Sequence, residues 1–319
     1  MRHRRNFTDW AIFSVLTLLW ASAYAFTRLA VSRDVPESGL PPELIICTRL
    51  TLGSLILLSV AGLSGQSWPA FTAWRSWLAM LVMGGIGTAA PFYAITTAQQ
   101  TINSSLAALY VAAAPLVVAG FAHVLFTDDR LSLRKCIGLC VGFMGVAVLF
   151  GPDAVRDFGS ASMQAQSLCL MATVFYAIAT ITARMARHIP PFVFSAGFVT
   201  IAAIASWPLL VLVDLDSLNP SRSALVGVIG LALGPTALAS ILYLILVRRT
   251  SATFISLTGY TIPLVSTVIG FLAFGETQTL LAVLGFVLIL GGVFLSQATV
   301  RRQHSQAKNT FDHGDRTSR

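Results

Sequence analysis

Between Trp10 and Ala30 the chain runs for twenty-one residues with a single charge, Arg28. As an α-helix such a run is about 30 Å long, the thickness of a bilayer's hydrocarbon core. Runs of this kind recur almost to the C-terminus. Polar breaks separate them, among them DVPESGLPPE, TDDRLSLRK, GPDAVRDFGS and DLDSLNPSRS. The pattern predicts ten transmembrane helices near 10–31, 42–62, 77–98, 104–126, 134–151, 163–184, 192–213, 223–247, 252–274 and 278–298.

Composition points the same way. Of 319 residues 55% are hydrophobic and only 11% are charged, with a mean hydropathy of +0.77. A soluble domain carries about 25% charged residues and could not hide this much apolar surface. The first apolar run is also longer than the roughly 7–15 residues of a signal-peptide core, so it is expected to stay as the first span. The net charge of +8 is spread between apolar runs and not gathered on one patch, which argues against a nucleic-acid partner. Cys47, Cys136, Cys140 and Cys169 all fall inside apolar runs and read as packing residues, without a disulfide framework or a metal site.

Lys and Arg collect on the cytoplasmic side of membrane proteins. With the N-terminus inside, sixteen of them fall on the inner side, against Arg33, Arg156 and Arg222 outside; Arg28 and Arg49 lie within spans. Both termini are therefore expected in the cytoplasm. The polar stretch 299–319 reads as a disordered tail.

The chain also repeats itself. APLVVAGFAHVLF at 114–126 and IPLVSTVIGFLAF at 262–274 share the register of Pro115 with Pro263 and Phe126 with Phe274. After a one-residue gap Gly138 aligns with Gly285 and Gly145 with Gly292. Farther upstream Trp20 pairs with Tyr176 and Arg28 with Arg184. These pairs are five spans apart. An odd number of spans per copy turns the second copy upside down, so the expected units are 9–151 and an inverted 163–298, an arrangement found in alternating-access transporters.

The segment LLWASAYAFTRLA, Arg49 near the start of the second span, and each proline helix followed by a short acidic turn and a Gly-rich helix resemble the EamA branch of the drug/metabolite transporter superfamily. The resemblance covers 9–298. It implies ten helices in two inverted halves around a central cavity and, in many bacterial members, export of amino acids or other metabolites.

Residues at i, i+3, i+7 and i+10 share a helix face. The first span presents Thr17, Trp20 and Tyr24 on one face; the sixth presents Tyr176 and Thr180; the ninth presents Ser256 and Tyr260. With Arg49 and Tyr110 these are the expected cavity residues. For any one hydroxyl, bonding back to its own helix is the commoner role. Gly87 and Pro91 in the third span and Gly234 and Pro235 in the eighth are matched weak points, expected to gate by bending or to kink the helix statically.

No cofactor, ATP-binding loop or enzyme motif is found, and no acid lies deep in a span. The chain reads as a bacterial inner-membrane exporter of small metabolites, amino acids foremost, acting as a monomer in the lipid bilayer with facilitated or potential-driven flux. The alternatives are a proton-coupled exporter of aromatic cations and, from another class, a membrane metabolite sensor.

Overall fold

The computed structural model describes residues 6–31, 38–98, 110–156, 163–214, 218–274, 280–281 and 283–296. Regular structure among them is helical throughout. The expected tail, 299–319, lies outside the described residues.

Helix α1 spans Phe7–Ala30, α2 Pro42–Leu63, α4 Ala114–Leu125, α5 Leu133–Arg156 and α6 Met163–Met185. Helix α3 is composite: α-helical over Trp74–Leu81, π-helical over Val82–Ala89, and α-helical again over Ala90–Ala98. Helix α7, Pro191–Ser206, ends in a 3-10 turn at Trp207–Leu212. Helix α8 repeats the composite pattern, with Arg222–Leu231, a π-helical Ala232–Leu238 and Ala239–Arg249. Helix α9 consists of Ala252–Ser256 and Thr258–Phe274, and α10 covers Val283–Ser296.

Six of these are long and apolar enough to cross a membrane: Phe7–Thr27, Pro42–Leu63, Trp74–Ile95, Met163–Met185, Pro191–Leu212 and Arg222–Arg249. The expected spans at 104–126, 134–151, 252–274 and 278–298 are not among them. The first is described only from Tyr110 onward, the side chains of α5 only as far as Leu149, and the last two are interrupted by residues outside the described set or by a break in the helix.

Sequence explains the ends of these helices. Pro42 and Pro191 sit in first turns, where their missing N–H costs nothing. Ser221 and Ser251 cap α8 and α9 by accepting from the N–H groups of Ala224 and Phe254. Pro115 lies in the first turn of α4, just after a break at 112–113, and Pro208 lies in the 3-10 turn where α7 ends. Pro263 does lie inside a helix, α9. The π-helical stretches fall on the predicted weak points. Pro235 cannot donate to a carbonyl four residues back, and in α3 the Thr88 hydroxyl answers the Met83 carbonyl at 2.9 Å.

Fully buried Leu16, Leu50, Leu57, Met80, Phe194 and Phe254 form the core between α1, α2, α3, α7 and α9. Leu18, Leu55, Val124, Val226 and Leu272 point outward and are exposed, an apolar surface that suits lipid and not water. All four cysteines are free; Cys47 and Cys169 are buried and Cys140 is exposed.

Glycines bring α5 and α10 into backbone contact. A Cβ on Gly138 would lie 2.4 Å from the Ser296 nitrogen, and one on Gly292 2.4 Å from the Gly142 nitrogen. One on Gly145 would lie 2.6 Å from the Ile289 nitrogen, and one on Gly285 2.8 Å from the Leu149 backbone. Helices that approach this closely need glycine on both sides.

The bundle end that carries Phe7 is tied by charge. Asp9 accepts from the Asn6 N–H at 3.0 Å and from Arg249 at 2.6 Å, joining α1 to α8. At the end of α6, Arg184 is buried and grips Asp128 at 2.6 Å and Asp129 at 2.8 Å in the loop before α5. Its guanidinium also lies 3.9 Å from the centre of the Phe126 ring. Asp129 further accepts from Lys135 at 2.6 Å and from the Thr253 N–H at 3.1 Å. Burial alone would push the Asp129 carboxyl up, but Lys135, the Thr253 N–H and Arg184 outweigh it and hold it below the usual range.

Candidate functional site

A column of polar and aromatic side chains crosses the middle of the bundle, supplied by α1, α2, α3, α6 and α8. It starts at Arg49, two turns into α2. Arg49 does not reach back to the helix end. Its Nε donates to the Thr236 hydroxyl of α8 at 3.2 Å, and its guanidinium covers the Phe92 ring of α3 at 4.7 Å. Tyr176 of α6 is near enough to sense the Arg49 charge. Among the described residues no acid forms an ion pair with Arg49. The approach of α8 depends on Gly53, one turn beyond Arg49, where a Cβ would stand 2.7 Å from Thr236 Cγ2.

Toward the Phe7 end the column continues through α6. Thr180 donates to the Tyr176 carbonyl at 2.9 Å, and the Tyr243 phenol of α8 meets the Thr180 side chain. Tyr243 is buried and packs against Trp20 of α1 with ring centres 5.6 Å apart. Gly87 lets α3 approach α6 beside this stretch; a Cβ there would stand 2.7 Å from Ala179 Cβ. The structure thus gathers Trp20, Arg49, Tyr176 and Thr180 from the expected set. It adds Thr236, Phe92 and Tyr243, which no periodicity within a single helix could find. Tyr24 belongs to α1, but its side chain lies outside the described residues.

Other expected cavity residues have different surroundings. Tyr260 is fully buried against Gly142 of α5, and its hydroxyl donates to the Leu139 carbonyl at 2.9 Å. It fills the space a glycine leaves, so the deep tyrosine of α9 is a packing residue. Ser256 donates to Thr253 of its own helix at 2.9 Å, and Thr17 is buried against Thr261 at 3.3 Å. Tyr110 sits in a separate cluster with Ala98, Ala165 and Cys169 and donates to Gln166 at 2.7 Å. The helix period gives each of these a shared face, but not what that face meets. Tyr260→Phe is expected to lose about 1 kcal/mol of stability and to leave solute flux unchanged, as read by thermal unfolding and liposome transport.

Of the expected gating residues, Gly87 lies within the π-helical part of α3 and Pro91 just after it, while Gly234 and Pro235 lie within that of α8. His123, near the end of α4, accepts from the Leu131 N–H at 3.0 Å. No group of His, Cys, Asp and Glu among the described residues could hold a metal ion. A cleft of about 350 Å³ opens at the bundle end opposite Phe7, between Val31, Leu40, Pro41, Leu212 and Asp214. It is separate from the column.

An apolar-surfaced helical bundle with six helices long and apolar enough to cross a bilayer has the build of a multi-pass membrane protein. Comparison with known proteins agrees. The profile of the EamA-like transporter family matches residues 9–151 and again 163–297. The chain belongs to the EamA-like transporter family. It is 27% identical over 299 residues to the uncharacterized transporter YdfC of Bacillus subtilis, covering 91% of each chain. It is 25% identical over 301 residues to the uncharacterized inner membrane transporter YedA of Escherichia coli, covering 92% of each. A protein of known crystal structure shares the fold at a TM-score of 0.75 with 20% identity, covering 94% of this chain and 99% of its own.

Proposed function

We propose that this transporter exports small metabolites, amino acids foremost, from the bacterial cytoplasm by alternating access between two inverted halves of five spans each, 9–151 and 163–298. The observation that carries the reading is a symmetry of contacts. Exchange each α5 seam position with the α10 position 147 residues on. The contact of Gly138 with Ser296 then becomes that of Gly285 with Leu149, and the contact of Gly142 with Gly292 becomes that of Ile289 with Gly145. All four are present. The larger packing follows the same rule: α1 on α8 matches α6 on α3, α1 on α9 matches α6 on α4, and α2 on α8 matches α7 on α3. The family profile matching both halves supports the same duplication.

In such an assembly, opening one end closes the other around a fixed central site. Trp20, Arg49, Tyr176 and Thr180 would face the solute there, with Thr236 and Tyr243. The π-helical stretches of α3 and α8 would absorb the bending at Gly87, Pro91, Gly234 and Pro235. Arg75, Arg130, Arg134, Lys135, Arg248 and Arg249 all lie at the Phe7 end, which supports termini in the cytoplasm.

The Arg49 charge favours metabolite over aromatic cation. A cation about 6 Å away would meet roughly 3 kcal/mol of repulsion at an effective dielectric of about 20. The absence of an acid from the column among the described residues favours facilitated or potential-driven flux over proton coupling. The test is efflux from proteoliposomes loaded with labelled amino acids or an aromatic dication, with and without a pH gradient. Amino-acid efflux that needs no gradient and falls at least tenfold in Tyr176→Ala is the expected result. Efflux of the dication alone, or only with a gradient, would replace this reading with drug antiport.

A further inference from the structure

The chemistry left exposed on Arg49 narrows the solute. Its Nε is engaged by Thr236, and one face of the guanidinium is covered by Phe92. The remaining edge is the fork of two terminal nitrogens, which make no hydrogen bond to a described residue. That fork matches a carboxylate with two parallel hydrogen bonds. The rest of the column is aromatic or hydroxylic: Tyr176, Thr180, Tyr243 and Trp20. The described acids lie at the ends of the bundle or in loops, as Asp9, Glu43, Asp128, Asp129 and Asp214 do. Glu43 comes nearest on the same helix, six residues before Arg49 and roughly 9 Å along the axis. Among the described residues, no acid inside the column therefore awaits an ammonium group.

We propose that Arg49, fixed by Thr236 and Phe92, is the carboxylate anchor of this site, and that the site requires the carboxylate of its solute and not the amine. Deaminated monocarboxylates with an apolar or aromatic body then bind as well as the corresponding amino acids. The inference rests on the transport reading above for its location, but its test does not depend on flux. A solute carrying net negative charge also gains from an inside-negative potential as it leaves the cell.

Three probes share one benzyl body and differ in their amine and carboxyl groups: 3-phenylpropanoate (carboxylate, no amine), phenylalanine (carboxylate and ammonium) and phenylalaninamide (ammonium, no carboxylate). Each is titrated against the full-length protein in detergent, following tryptophan fluorescence and thermal stabilisation. The two acids are expected to bind within about tenfold of one another. The amide, with its neutral carboxamide, is expected to bind about tenfold to a hundredfold more weakly. Arg49→Gln should weaken both acids by a similar factor, and Arg49→Lys should restore part of the loss through its point charge. The comparison of acid with amide uses the unmutated protein and stands even if a variant fails to fold. Equal binding of amide and acids, or no binding of either acid, overturns the anchor. Acid binding without efflux would support the anchor while removing the exporter reading. Efflux of other solutes without acid binding would do the reverse.

Discussion

Arg184→Met is expected to destabilise the folded protein by about 3–5 kcal/mol. The substitution strands a charge. Asp129 has only 3% of its side chain exposed, and Arg184 is equally enclosed. Removing the cation leaves a buried carboxylate with Lys135 and the Thr253 N–H as its remaining partners. Asp128 is the contrast. It binds the same guanidinium but is 59% exposed, so Asp128→Asn should cost roughly 1 kcal/mol or less. Thermal unfolding of both variants beside the parent measures the difference, and equal losses would refute the assignment. Acidity provides an independent handle. The Asp129 carboxyl is held below its usual range in the folded state, so its contribution is full above about pH 4 and is lost as pH falls through the depressed value. Arg184→Met should accordingly lose less relative to the parent in strong acid than at neutral pH.

Gly292→Val is expected to be as damaging, at about 3 kcal/mol or more, for a different reason. The new Cβ would stand 2.4 Å from the Gly142 nitrogen and 2.6 Å from the Gly138 oxygen. Both are backbone atoms, so no rotamer change relieves the clash and α10 must move off α5. Its neighbour Gly291 is the control. Nothing lies within 4 Å of a Cβ there, and Gly291→Ala should be neutral or gain up to about 1 kcal/mol from helix propensity. Monodispersity and melting temperature in detergent decide the matter. Similar values for the two variants would mean that α5 and α10 do not meet through glycine.

Long apolar runs made six of the helices legible in sequence, because length and hydropathy alone define a crossing. The others were less sharply drawn. Arg134 and Lys135 sit inside the start of α5, and a break at Leu257 divides α9. The Gly/Pro clusters marked where α3 and α8 depart from α-helical bonding, though not that the departure would be π-helical. At the site, Arg49 stood out because a charge within an apolar run is costly and rarely idle. Its partners did not, since Thr236 and Phe92 arrive from helices whose rotation no single run records. Tyr243 lies six residues before Arg249, a place in sequence that suits the membrane interface, but packing against Trp20 gives it an inner place. Tyr260 misled in the opposite direction. A deep tyrosine on a polar stripe suggests a cavity wall, yet Gly142 opposite it makes room for the ring.

The π-helical stretch in α3 also sets a phase. Each residue of an α-helix turns the chain by about 100°, so one extra residue accommodated within a turn rotates everything beyond it by that angle. Phe92 comes three residues after the stretch ends, and Trp74–Leu81 precedes it. The aromatic ring under Arg49 and the packing face of the first two turns are therefore aligned by the widened turn and not by residue spacing alone. A single-residue deletion between Val82 and Ala89 would leave a continuous, well-bonded α-helix of nearly unchanged hydrophobicity. Because it removes the extra residue together with the widened turn, it would keep Phe92 near the guanidinium, whereas a one-residue insertion or deletion in the α-helical turn between Ala89 and Phe92 would swing the ring by about 100° and retune the site.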